Sequence, residues 1–249
     1  MILWATRVLA ALILAISSAA VLAQDTRIVF QVEQDAFSIG GQQQEAQDEE
    51  LVIWLRDDAV RHNQGDSTFI GLFDENKMYI VEHSTNSYIE VDLPIDILSM
   101  VPEEARPMME QVLGQMDMET EITATDEEGT INGWEARKYI VHVSGFMGME
   151  MEHTLWMSTD PGVDASRYNQ MISEMAALQP GQGEWMAELQ AIEGFPVLTE
   201  TVTRVMGTEF ASRQRLISVE EAEAPEGAFE PPQGYSRDDF DLMDQLGGQ

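Results

Sequence analysis

The sequence predicts an α+β protein built on an antiparallel β-sheet whose apolar face meets helices, and three observations predict it. Residues 132–158 (NGWEARKYIVHVSGFMGMEMEHTLWMS) alternate polar and apolar side chains on both sides of a Gly- and Met-rich turn, as a half-buried hairpin does. Residues 26–34 (TRIVFQVEQ) and the run ELVIWLR repeat that alternation. Between 94 and 118 the apolar spacing changes to that of one or two amphipathic helices laid against the sheet.

The elements follow in order. Residues 1–23 carry Arg7, a short apolar run and small residues at Val21 and Ala23, which predicts a signal peptide cut after Ala23 and an exported, soluble, periplasmic protein. Residues 24–237 then form one domain and 238–249 an acidic tail. Residues 40–50 (GGQQQEAQDEE) are polar and low in complexity and read as a loop. Strands follow in STFIGLFDENKMYIVEHSTNSYIEVDLP, punctuated at 74–76 and 84–86 by turn-forming residues.

In the insert, Ile97, Leu98, Val101, Met108, Met109, Val112, Leu113 and Met116 recur at helical spacing, with Pro102 and Pro107 dividing it. Residues 121–126 return to strand, DEEG reads as a turn, and Asn132-Gly133 as a hairpin turn. Asp164 is positioned to cap a helix carrying Tyr168, Met171, Ile172, Met175 and Leu178, and a short second helix holds Trp185 and Leu189. Two more strands and a segment rich in Pro, Gly and acidic residues end the domain.

In the 132–158 hairpin, a loop at 146–148 places Tyr139, Val141 and Val143 on one face with Met149, Met151, His153, Leu155 and Met157. Lys138, His142, Ser144, Glu150, Glu152 and Thr154 take the other. A slip of one residue would mix the two sets, so burial of one face fixes the pairing.

Charge and composition exclude several functions. With 13 basic against 45 acidic residues and a net charge of −32, the chain repels polyanions, which excludes nucleic acid as a partner. The absence of cysteine excludes disulfides, thiol catalysis and an acyl-anchored cysteine at the start of the mature chain. No apolar run is long enough to span a bilayer. Nucleophile-elbow, zinc-protease, phosphate-loop and dinucleotide motifs are absent, so no enzyme activity and no cofactor are expected.

The order of strands, interrupted helical insert, hairpin ending LWMS, helix, Gly194-Phe195-Pro196-Val197 and finally Ala228-Phe229-Glu230-Pro231-Pro232-Gln233-Gly234-Tyr235 resembles the uncharacterised bacterial domain-of-unknown-function 4412 family. That family is similar in turn to periplasmic lipoprotein carriers of the LolA and LolB kind. The resemblance implies a curved sheet, an open half-barrel, with helices covering its concave face. In the carriers that hollow receives acyl chains.

The 16 methionines are the main compositional anomaly. Flexible thioethers suit a surface that repacks around variable apolar ligands. The expected site is a Met-lined hollow for an acyl chain, lipid, lipidated partner or other hydrophobic small molecule, lined by Met108, Met109, Val112, Met116, Tyr139, Val141, Met149, Met151 and Leu155. One alternative is a Cu(I)-binding protein in which Met149, Met151 and His153 supply soft ligands. A second is a structural or interaction module with no ligand, whose methionines only fill a core.

Overall fold

The computed structural model describes residues 25–114, 118–145, 148–178 and 183–239. The expected signal peptide (1–23), Met116, the side chain of Val112 and most of the acidic tail lie outside the described residues.

The chain runs β1 (Asp25–Gln34), β2 (Phe37–Ile39), β3 (Gln42–Gln44), β4 (Gln47–Leu55), β5 (Ala59–Gln64), β6 (Ser67–Leu72), β7 (Lys77–Glu82) and β8 (Ser87–Asp92). Then come α1 (Arg106–Leu113), β9 (Glu119–Ile131), β10 (Trp134–Gly145), β11 (Met149–Ser158), α2 (Ala165–Ala177), α3 (Gly183–Gln190), β12 (Phe195–Val205), β13 (Thr208–Ala222) and β14 (Ser236–Asp238). Twelve of the strands form one sheet in the order β14-β8-β7-β6-β5-β4-β1-β13-β12-β11-β10-β9, and β2 pairs with β3 separately.

This architecture corrects the expected fold class. The protein is mostly strand; the sheet is mixed, because β14 runs parallel to β8, and it is not closed. The helices do not cover a concave face. They are 8, 13 and 8 residues long and meet different neighbours. The reason for the shortfall in helix is local. Pro102 falls in the turns that precede α1, and residues 94–105 form turns instead of helix, since proline removes a helix donor and clashes with the preceding turn.

Residues 40–50 differ in the opposite sense. They supply a small hairpin and the start of β4, with Gly40 and Gly41 at φ of 60° and 90°, a backbone glycine adopts without strain. The DEEG segment is likewise no turn: β9 passes through it, accommodated by a bulge opposite Arg137 and Tyr139.

The main core lies where β1, β4, β5, β7 and β13 meet α2. Ile28, Phe30, Ile53, Val60, Met78 and Leu216 are buried there with Tyr168 and Met171 of α2. Asp164 caps α2 by accepting from the Ser166 amide. Asn76, Asn86 and Asn132 take positive φ at the hairpin turns, as short polar side chains permit.

The opposite face of β5 to β8 is also apolar. Ala59, Ile70 and Val81 are buried against Ala228 and Phe229. The C-terminal segment 224–235 is therefore a strap across this face, fastened where Arg61 Nη1 donates to Ala228 O (2.7 Å) and where the Arg56 guanidinium lies 4.2 Å above the Phe229 ring.

Candidate functional site

Four neighbouring strands, β9 to β12, build the candidate site. The β10–β11 register pairs Tyr139 with Leu155, Val141 with His153, Val143 with Met151 and Gly145 with Met149. This is the pairing the alternation predicts, and His142 meets Glu152 at 3.6 Å on the other, exposed face. β9 extends the rungs by setting Thr120 beside Val143 and Ile122 beside Val141. β12 extends them on the far side by setting Thr201 beside His153.

Val141, Val143, Leu155 and Trp185 are buried together, with Met118, Ile122, Tyr139, Met151, Met157, Met186, Leu189 and Ile192 packed around them. This Met-rich cluster is distinct from the main core. The helix that meets it is α3, which carries Trp185, Met186 and Leu189 at helical spacing. Gln190 at the end of α3 donates through Nε2 to Asn169 O and to Ser173 Oγ, both 2.9 Å away on α2. A short helix is thereby held by one amide side chain and its apolar face.

The expected lining divides accordingly. Tyr139, Val141, Met151 and Leu155 come together. Met149 is half-buried on the same face but is not part of the packed cluster. Met109 belongs to a separate cluster with Val101, Ile97, Leu98 and Leu113, and Met108 is 60% exposed. Of the apolar face that helical spacing gave to α1, Met109 and Leu113 pack, and they do so on the connecting turns before the helix and not on the sheet. The residues missed as lining are Met118, Ile122, Val143, Met157, Trp185, Met186, Leu189 and Ile192. The 3.6-residue spacing of Trp185 and Leu189 was the available signal, and it could not say which strands the helix would meet.

His153 is the polar centre of the face. Its Nδ1 lies 2.8 Å from Thr201 Oγ1, and its ring stacks on Trp185 at 5.5 Å with 16° between the planes. Burial pulls its pKa down to about 4, so the imidazole is neutral at ordinary pH. Among the described residues its Nε2 is buried without a hydrogen-bond partner, as are Trp185 Nε1 and Thr120 Oγ1.

An open cleft of about 580 Å³ borders the cluster. Tyr139 and Met157 belong to both, and Glu128, Glu135, Arg137 and Glu193 stand around the cleft. A second open cleft, of about 610 Å³, is lined by Glu33, Asp35, Asp48, Glu200 and Arg213 and by neutral residues. Among the described residues no three His, Cys, Asp or Glu side chains gather as a metal site, and no helix is long and apolar enough to cross a membrane.

The profile of the family described as "Domain of unknown function (DUF4412)" matches residues 56–235. The chain belongs to the DUF4412 family. The matched stretch runs from β5 to the end of the strap and so includes the Met-rich face, α3 and the Ala228–Tyr235 motif. No curated protein matches this DUF4412 chain.

Proposed function

We propose that this DUF4412 chain is an exported, periplasmic, non-enzymatic binding protein that takes a hydrophobic chain into the seam between α3 and the β9–β11 face. The observation that carries this reading is the continuity of the cleft with the Met-rich cluster through Tyr139 and Met157. A chain entering there would part side chains that repack easily, because thioethers are unbranched and flexible. The wall that must yield is α3, a helix of 8 residues, too short to be stable without tertiary contacts.

The cleft also limits the head of the ligand. Glu128, Glu135 and Glu193 outnumber Arg137 there, so an uncharged head is favoured over a carboxylate or phosphate.

Thermal unfolding and native mass spectrometry with monopalmitoylglycerol and with palmitate test the proposal. A ligand that binds only the folded state raises its stability. Monopalmitoylglycerol should form a one-to-one complex and raise Tm, with palmitate weaker. Neither a complex nor a Tm increase with either compound would overturn it.

A further inference from the structure

We infer that the inner end of the Met-rich face is a binding site for a soft monovalent cation, Cu(I), with His153 Nε2 and the Met151 thioether as its first ligands and the Met186 thioether completing the set. The inference rests on different observations from the hydrophobic-chain reading, although both use the Met-rich cluster. It concerns the rungs beyond Leu155, whereas the cleft opens beside Tyr139 and Met157.

Three observations converge. First, a buried imidazole nitrogen without a partner is costly in a folded protein, and among the described residues His153 Nε2 is one, at a residue only 8% exposed. Second, the other ring nitrogen is engaged by Thr201 Oγ1 at 2.8 Å. With Nδ1–H donating to that oxygen, Nε2 presents a lone pair, the arrangement by which a metal-bound histidine is oriented from its far side.

Third, two thioethers belong to the cluster that adjoins this ring. Met151 lies two residues along the same strand face, and Met186 packs in the same cluster as Trp185, whose ring stacks on His153.

The chemistry of the donors selects the ion. One imidazole with thioethers is a poor set for Zn²⁺ or a hard cation and a good one for Cu(I). A single positive charge also costs less to bury than a double one, and it enters a protein of net charge −32.

The test is a Cu(I) titration of the whole protein under anaerobic, reducing conditions against a chromophoric Cu(I) chelator, with Ag(I) as a redox-inert second probe read by tryptophan fluorescence. One equivalent should bind, and the variant Met151→Leu/Met186→Leu should bind at least tenfold more weakly. Leucine conserves volume and keeps the core packed, so circular dichroism and Tm should stay close to those of the parent protein. His153→Gln should lose the site as well; should that variant misfold, the double leucine variant still decides. Equal binding by parent and double variant, or no binding by the parent, would overturn the inference. In either event the monopalmitoylglycerol result stands on its own.

Discussion

The His83 Nδ1 lies 3.0 Å from the Tyr235 hydroxyl, and its Nε2 lies 3.0 Å from Thr68 Oγ1. One imidazole thus joins the end of the C-terminal strap to β6. Directly beyond it, the Ser236 amide donates to Asn86 O at 3.0 Å and β14 continues alongside β8. The strap is a structural part of the sheet's second face.

That arrangement makes the strap a determinant of stability. Phe229 is buried against Ala59, Ile70 and Val81 and beneath Arg56. Truncating a buried phenylalanine costs about 3–5 kcal/mol. Phe229→Ala should therefore lower the unfolding free energy by about that amount in urea or thermal unfolding, and Tyr235→Phe by about 1 kcal/mol for the lost hydrogen bond.

Gly194 is a second sensitive point. It has φ of +110°, and a Cβ there would stand 3.0 Å from the Ser158 carbonyl oxygen. Gly194→Ala combines backbone strain with a clash against backbone, so it should destabilise by at least about 1–3 kcal/mol. Unfolding in denaturant measures this, with Gly133→Ala as a control for positive φ without a close neighbour.

Two buried histidines predict the response to acid. Burial lowers both His62 and His153 from 6.5 to about 4. Between those values the unfolded chain holds more protons than the folded one. The stability contributed by keeping the rings neutral is complete above pH 6.5 and is lost as pH falls towards 4. A shift of this size corresponds to about 3 kcal/mol for each group. His153→Gln should show a smaller loss of unfolding free energy between pH 7 and pH 4 than the parent protein, by up to that amount, while carboxylate protonation contributes equally to both.

The sequence was most informative where alternation was longest. Tyr139, Val141 and Val143 opposite Leu155, His153 and Met151 followed from period-2 patterning with one buried face, and Asp164 capped its helix because its side chain had an amide to accept from. Residues 40–50 misled because Gln, Glu and Asp resemble loop composition, whereas in β4 their backbone is paired with Glu33 and Gln34 at the sheet's polar end. Periodicity gave α1 and α3 each an apolar face but carried no information on its partner. Long-range packing decided that α3, and not α1, meets the methionines. The strap was equally hidden, because Ala228 and Phe229 cover the sheet from far along the chain.

The tether of α3 can be tested apart from any ligand. Gln190 Nε2 reaches both Asn169 O and Ser173 Oγ. Gln190→Ala should loosen α3 by about 1–2 kcal/mol for the lost bonds, seen as faster amide exchange in 183–190 with little change in the protection of β1 and β4.

The central claim is that the seam between α3 and the Met-rich face parts to admit a hydrophobic chain. Hydrogen exchange with and without saturating monopalmitoylglycerol tests it most directly. Protection should increase in 183–192 and 149–157 and stay constant in the strap at 225–235. Unchanged exchange at α3 and β11 with ligand bound, or protection confined to another face, would contradict it.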